Sequence, residues 1–342
     1  MQTTLDATRH HTPVVSVIIP AHNAAAFIAD AIASVRAQTF TDHEIIVVDD
    51  GSTDDTRDVI RRFPEVRSVH QMNDGVAAAR NAGIALARGE FICFLDADDL
   101  WRPLKLTRQL QFMAAHPEVG LLFTDAEEHG ADDIEKASIL ATMTYGSDAT
   151  RVPIEDVFRK LLIENFIPTS TVMVRRSCLT ASGPFDLSLP NVEDRDMWLR
   201  LAAVVPVACL PEVTACKRSH GANISMRTEL TLRSRIRVWQ RARRRFPALA
   251  PATVYESLLA PTYQQLGYVV LARGERRKAR RYAAVSVACA ARCVLSRAPL
   301  STYHWRLSFA LLALSFLRDP WVQYLWQARR VLRRKTTPAA AA

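Results

Sequence analysis

The residues able to do chemistry in this chain are carboxylates grouped in short runs behind apolar stretches. Residues 91–95 form an apolar run rich in β-formers, which reads as a buried strand and stops on Asp96, Asp98 and Asp99. A sheet interior cannot hold that much unpaired negative charge, so these acids belong at the strand's end, in a cleft. Oxygen donors of this kind suit a hard divalent cation, and such a cation suits a substrate diphosphate. An acidic turn capping the next helix is the simpler reading, with Asp99 serving the helical region over 103–116. A second run, 44–50, ends on Asp49 and Asp50. A third cluster, Glu193-Asp194-Arg195-Asp196, opens a segment in which Trp198, Leu201 and Ala202 repeat at helical spacing. Glu193 and Asp194 therefore stand at a helix N-terminus, where the dipole favours the ionised carboxylate, the form that accepts a proton.

The elements that must position these acids alternate regularly. Residues 14–20 are a continuous apolar run, the pattern of a buried parallel strand. Ala21-His22-Asn23 turn the chain, and 24–38 carries Phe27, Ile28, Ala31, Ile32 and Val35 at helical spacing. After the strand 44–50, Gly51 and Ser52 turn into a helix over 54–63, with Ser52 and Asp55 spaced as a capping box. A short strand over 66–70 and a helix over 76–87, ended by Gly89, lead into the 91–95 strand. This alternation predicts a parallel, doubly wound sheet with a nucleotide-sized crevice at its carboxyl edge. The turn at Pro20-Ala21-His22-Asn23 has no glycine fingerprint for a dinucleotide, and no phosphate-binding P-loop occurs anywhere. Charge on a bound nucleotide would have to be handled by a metal. Three strand ends converge on the crevice: Asn23, the Asp49-Asp50 pair and the Asp96 cluster. Beyond it the pattern predicts a helix over 106–116, strands over 120–124 and 170–174, and helices over 154–165 and 176–181.

Four ordered blocks carry a resemblance: Val-Ser-Val-Ile-Ile-Pro-Ala-His-Asn, Ile-Ile-Val-Val-Asp-Asp-Gly-Ser-Thr-Asp, Ala-Ala-Arg-Asn-Ala-Gly-Ile-Ala-Leu-Ala-Arg-Gly-Glu-Phe and Phe-Leu-Asp-Ala-Asp-Asp. In order and spacing they resemble the signatures of family 2 glycosyltransferases with the GT-A fold, a Rossmann-like α/β nucleotide-diphospho-sugar domain. The resemblance covers roughly residues 14–225. It implies an inverting transfer from a nucleotide-diphosphate sugar, a UDP-sugar being favoured, to an acceptor hydroxyl in polysaccharide or glycolipid synthesis. It assigns Pro20, Asn23 and Asp49 to the donor, with Asp49 accepting hydrogen bonds from the base and Asp50 supporting it or capping the turn. Arg80 reaches toward the nucleotide. Asp96 and Asp98 form the Asp-x-Asp motif for Mg2+ or Mn2+, with Asp98 the direct ligand and Asp96 reaching the ribose or the metal's water shell. Asp194 is the implied catalytic base, with Glu193 beside it as a substrate contact or rival base. In the closing block, Arg218 matches an Arg-x-x-His element near the diphosphate, although Cys216-Lys217 depart from the commoner aromatic-Arg pair. His220 is left as metal ligand or phosphate contact.

Charge divides the chain. From Ser225 onward there are 23 Lys and Arg against 4 Asp and Glu; residues 1–224 hold 21 against 31, within a net charge of +9. Such asymmetry points to two regions with different partners. We expect a flexible stretch over 1–13, the catalytic domain over 14–225, a basic, mainly α-helical region over 226–335 and a frayed tail over 336–342. Helices are predicted over 263–273, 278–295 and 303–316, none long enough to span a bilayer. Basic helices with apolar faces fit packing on the domain or peripheral contact with the cytoplasmic membrane face, where a lipid-linked or saccharide acceptor would be met. No nucleic-acid motif accompanies the charge. Six cysteines lack paired zinc-ligand spacing, and the polar start lacks a signal-peptide core, so a cytoplasmic setting is expected. A non-catalytic scaffold of the same fold and a sugar nucleotidyltransferase are the alternatives. The latter would want a glycine-rich basic loop where Pro20-Ala21-His22-Asn23 stands.

Overall fold

A computed structural model describes residues 11–130, 134–145, 154, 156–219 and 228–296, with Ala310 and Ala313 beyond them. The chain divides into two compact units on either side of residue 226. In the first, strands β1 (Val15–Ala21), β2 (His43–Asp50), β3 (Arg67–Gln71) and β4 (Phe91–Phe94) alternate with helices α1 (Ile28–Arg36), α2 (Thr56–Ile60) and α3 (Val76–Leu86). These four strands are parallel in the order β3-β2-β1-β4, as the apolar runs predict.

Beyond β4 the sheet is mixed, which corrects the expectation of a parallel sheet throughout. Strand β5 (Leu100–Trp101) starts too soon after β4 for the crossover that a parallel neighbour needs. It leaves instead to pair antiparallel with β9 (Val207–Arg218). After α4 (Lys105–Ala115), strand β6 (Leu121–His129) continues past Asp125, where its register against β9 shifts, and is longer than the apolar run implies; β7 (Ile134–Lys136) folds back on it. Helix α5 (Val157–Ile163), strand β8 (Met173–Arg175) and helices α6 (Arg176–Ser182) and α7 (Glu193–Ala202) follow. Strand β8 is antiparallel to both β4 and β6, while β9 is parallel to β6.

Two glycines set the helix–sheet spacing. A Cβ at Gly83 would stand 2.4 Å from Ile18 Cγ2, so only glycine lets α3 lie this close to β1. Gly89 does not end α3, which stops at Leu86. It is required because a Cβ there would lie 2.6 Å from the Ser16 backbone nitrogen.

The second unit contains α8 (Thr228–Arg245), α9 (Ala252–Ala272) and α10 (Arg276–Leu295). Helix α9 begins well before the expected 263 and runs through Pro261. Buried Glu256 accepts hydrogen bonds from Arg243 at 2.7 Å and Arg292 at 2.8 Å, tying all three helices together. Cys289 and Cys293, one turn apart, are buried as core residues. The helix expected over 303–316 lies outside the described residues apart from Ala310 and Ala313. Among the described residues no helix is long and apolar enough to cross a membrane.

The first unit's core holds one unexpected ion. Lys105 is fully buried, its Nζ 2.5 Å from Gln109 Oε1 and 4.2 Å from the centre of the Trp101 ring, with no carboxylate paired to it among the described residues. Burial lowers its pKa from 10.5 to about 8. The unfolded chain therefore binds the proton that the native state sheds between those values, so this group's share of stability grows as pH rises from 8 to 10.5. That share is fully present above 10.5 and is lost as pH falls through 8. Urea denaturation of wild type from pH 7 to 10 should show the rise, about 3 kcal/mol when complete. Lys105→Met should flatten it; identical slopes in the two proteins would contradict the assignment.

Candidate active site

The parallel register brings the carboxyl ends of β1, β2 and β4 to one edge, with Ala21 opposite Asp49. At the end of β1, Asn23 adopts a left-handed backbone (φ 50°) and braces the neighbouring loop. Its Oδ1 accepts from Thr53 N at 2.8 Å, and its own N–H donates to Ser52 Oγ at 2.9 Å. Ser52 is thereby taken from the capping role expected of it. Asp54 accepts the Thr56 N–H at 3.0 Å instead. Pro20 is buried within β1, in register with Val48.

Asp49 is 2% exposed, with one oxygen accepting from Ser52 N at 3.0 Å and the other 2.8 Å from His70 Nδ1. Burial works against its charge, but the hydrogen bonds from Ser52 and His70 prevail and hold it below the usual carboxylate range. Asp50 closes the following loop, accepting from Asp74 N, Gly75 N and Gln71 Nε2 at 2.7–3.0 Å.

The acids after β4 part company. Asp99 is buried and does not cap α4; it accepts from Ser170 Oγ at 2.5 Å and Arg218 N at 3.1 Å. Burial, reinforced by the adjacent Asp96 and Asp98 charges, pushes it well above the usual carboxylate range. Asp96 and Asp98 are both half-buried at the edge. Asp96 accepts from Arg80 at 2.8 Å. Arg80 is not solvated but 3% exposed, and its other terminal nitrogen donates to Glu193 Oε1 at 2.5 Å. Its guanidinium also lies 5.5 Å from the Phe185 ring centre. Burial opposes its charge, yet Asp96 and Glu193 hold it ionised above the ordinary arginine range. A side chain expected to reach the nucleotide thus bridges the two acid clusters from within.

The cluster on α7 divides in the same way. Glu193 is 6% exposed, and its Oε1 accepts from Arg80. Asp196 pairs with Arg200 at 2.9 Å, and Arg200 also holds the carbonyls of Ser182, Gly183 and Pro184. Asp194 is half-buried, its Oδ2 accepting from Asn165 Nδ2 at 2.9 Å and its Oδ1 from Arg195 N at 2.6 Å. The residue before α7, Val192, has φ 56°, a strained conformation for a β-branched side chain.

Sequence reading missed Asn165 and Ser170. Asn165 is a polar residue directly before the apolar pair Phe166-Ile167, and that interruption was the available signal. Ser170 ties Asp96 N to Asp99 through one hydroxyl, a role no spacing announces. The Arg218 guanidinium turns to Asp30 at 2.9 Å and stacks near Phe27, and His220 lies outside the described residues.

The profile of glycosyl transferase family 2 matches residues 16–177. An uncharacterised glycosyltransferase of Nostoc sp. PCC 7120 is 36% identical over 223 residues, 62% of this chain and 66% of that protein. The Escherichia coli UDP-Glc:alpha-D-GlcNAc-diphosphoundecaprenol beta-1,3-glucosyltransferase WfaP is 32% identical over 193 residues, 55% of this chain and 70% of that enzyme. Several other relatives are longer, and the chain spans only 31–35% of them. Among solved structures, Staphylococcus aureus TarS 1–349 in complex with UDP superposes with a TM-score of 0.54 at 15% identity, over 92% of this chain and 91% of that one. The mannosyltransferase PcManGT of Pyrobaculum calidifontis, in complex with GDP-Man and Mn2+, gives 0.53 at 19% identity, over 92% and 84%. The fold is therefore the GT-A glycosyltransferase fold with a helical region after it, and the chain belongs to glycosyl transferase family 2.

Proposed function

We propose that this chain is an inverting glycosyltransferase that moves a sugar from a nucleotide-diphosphate donor to an acceptor hydroxyl, with Asp194 as base. One observation carries the reading: a single buried guanidinium, Arg80, joins the acids at the end of β4 to the N-terminus of α7. The donor end and the base are thereby fixed against each other.

The acceptor hydroxyl's proton passes to Asp194 as its oxygen attacks the anomeric carbon. The bond from that carbon to the diphosphate breaks with its electrons, and configuration inverts. One base suffices, and no covalent glycosyl intermediate is required. Asn165 holds Asp194 in place. The half-buried carboxylates of Asp96 and Asp98 are hard oxygen donors at an open strand end and fit Mg2+ or Mn2+. Asp98 would ligate it, and bound there the ion supplies Lewis-acid neutralisation of the departing diphosphate. Asp49 and Asn23 would contact the nucleoside.

Names of related proteins support the finer reading. WfaP is named for a UDP-sugar donor and a diphosphoundecaprenol acceptor, and TarS was solved with UDP and with UDP-GlcNAc. A UDP-sugar donor and a lipid-linked or saccharide acceptor follow, in cell-surface polysaccharide or glycolipid synthesis. The basic helices after residue 226 would keep the enzyme at the cytoplasmic membrane face.

Melting temperature against a panel of UDP- and GDP-sugars, with and without Mn2+, tests the donor class, because a ligand of the native state must raise it. A metal-dependent rise for UDP-sugars, lost in Asp98→Ala, is expected; no rise with any donor on folded protein would sink the reading. With a donor found, Asp194→Asn should lower kcat by about 10²–10⁴-fold. Asn165→Ala should lower kcat on the order of tenfold, one hydrogen bond to a charged group, with donor KM unchanged. A changed KM with kcat intact would reassign both residues to binding. Arg80→Met should cost about 3–5 kcal/mol in urea denaturation, because Glu193 is left buried and unpaired. Adding Glu193→Gln should recover part of that loss; strictly additive losses would contradict the bridge.

A further inference from the structure

Away from these acids, β6 and β9 run side by side with Glu127 opposite Cys216 and His129 opposite Arg218. Residues two apart on a strand share a face, so Glu127, His129 and Cys216 emerge together. All three line an open cavity of about 670 Å³. One ligand atom from each lies within 4.8 Å of the other two. Glu127 and Cys216 are buried and His129 is half-buried.

The arrangement is close to what a tetrahedral ion requires. His129 Nε2 is shielded from solvent, finds no hydrogen-bond partner among the described residues, and stands 3.2 Å from Glu127 Oε1. Nitrogen and oxygen ligands of a tetrahedral Zn2+, each about 2.0–2.1 Å from it, are about 3.3 Å apart. The other carboxylate oxygen, Oε2, accepts from Arg102 at 2.7 Å, which fixes the group's rotation and leaves Oε1 toward the ring. Metal-ligating carboxylates are commonly oriented by such an outer hydrogen bond. Arg218, the other cation on this face, has its guanidinium committed to Asp30.

We infer that Glu127, His129 and Cys216 bind one Zn2+ or a similar borderline transition-metal ion, with the fourth position open to the cavity. On binding, the Cys216 S–H bond breaks, its proton leaves to solvent, and the sulfur donates to the metal; no redox change occurs. A sulfur–nitrogen–oxygen set selects against Mg2+, so this site and the all-oxygen acids at Asp96 and Asp98 take different ions. The ion would clip β6 to β9, the strand that ends at Arg218 on Asp99.

Co2+ titration of the metal-stripped full chain tests this with an optical readout independent of turnover. A thiolate-to-cobalt charge-transfer band should grow to saturation at one equivalent and vanish on adding Zn2+. Cys216→Ser and His129→Ala should each lose it with circular dichroism unchanged, while Asp98→Ala keeps it, so failure here is distinct from failure of the donor site. No band, a band surviving in either of the first two variants, or one lost in Asp98→Ala would overturn the proposal. Should Cys216→Ser fail to fold, His129→Ala decides alone: Zn2+ affinity weakened by more than about tenfold supports the site, and unchanged affinity refutes it.

Discussion

The structure depends on one charge placed where charge is costly. Arg80 sits on α3, which Gly83 lets settle against β1, and that approach sinks the guanidinium into the protein. A buried cation is tolerable only with partners of good geometry, and removing one partner leaves an uncompensated charge. Asp96 and Glu193 supply them from two elements distant in sequence. The end of β4 and the start of α7 are therefore held together by electrostatic necessity rather than by packing alone. Such a pair contributes little net stability compared with an apolar replacement, so its value lies in fixing geometry.

The same logic sorts the remaining carboxylates. In the clusters after β4 and on α7, some acids are consumed by the fold while others stay half-buried at the edge. Asp99 goes inward to Ser170 and Arg218, leaving Asp96 and Asp98 at the rim. Glu193 and Asp196 go to Arg80 and Arg200, leaving Asp194 with Asn165. Clustering of acids, a poor sign of catalysis when read alone, becomes intelligible once each is matched to its partner. Val192, left-handed directly before α7, is followed by Glu193 and Asp194, whose partners Arg80 and Asn165 hold the helix start.

Local pattern made the parallel half of the sheet legible, since buried strands such as β1 and β2 write themselves as continuous apolar runs. The mixed half was not legible, because strand direction after β4 is decided by where β9 lies, a contact more than a hundred residues away. The acids of the candidate site were visible as residues, but not their division of labour. Arg80 and Lys105 are both buried, which no local spacing announces, because burial of long cationic chains is a tertiary outcome. Helix α9 starts before the expected 263 because packing carries it through Pro261.

If the proposed roles hold, Arg80 pins the donor end of β4 to the helix carrying the base Asp194. A crystal structure with UDP and Mn2+ tests this. It should show the cation on Asp98, the uridine along the Asp49 edge, and Arg80 still bonded to both Asp96 and Glu193. A nucleotide bound elsewhere, or Arg80 swung onto the diphosphate with Glu193 unpaired, would contradict it.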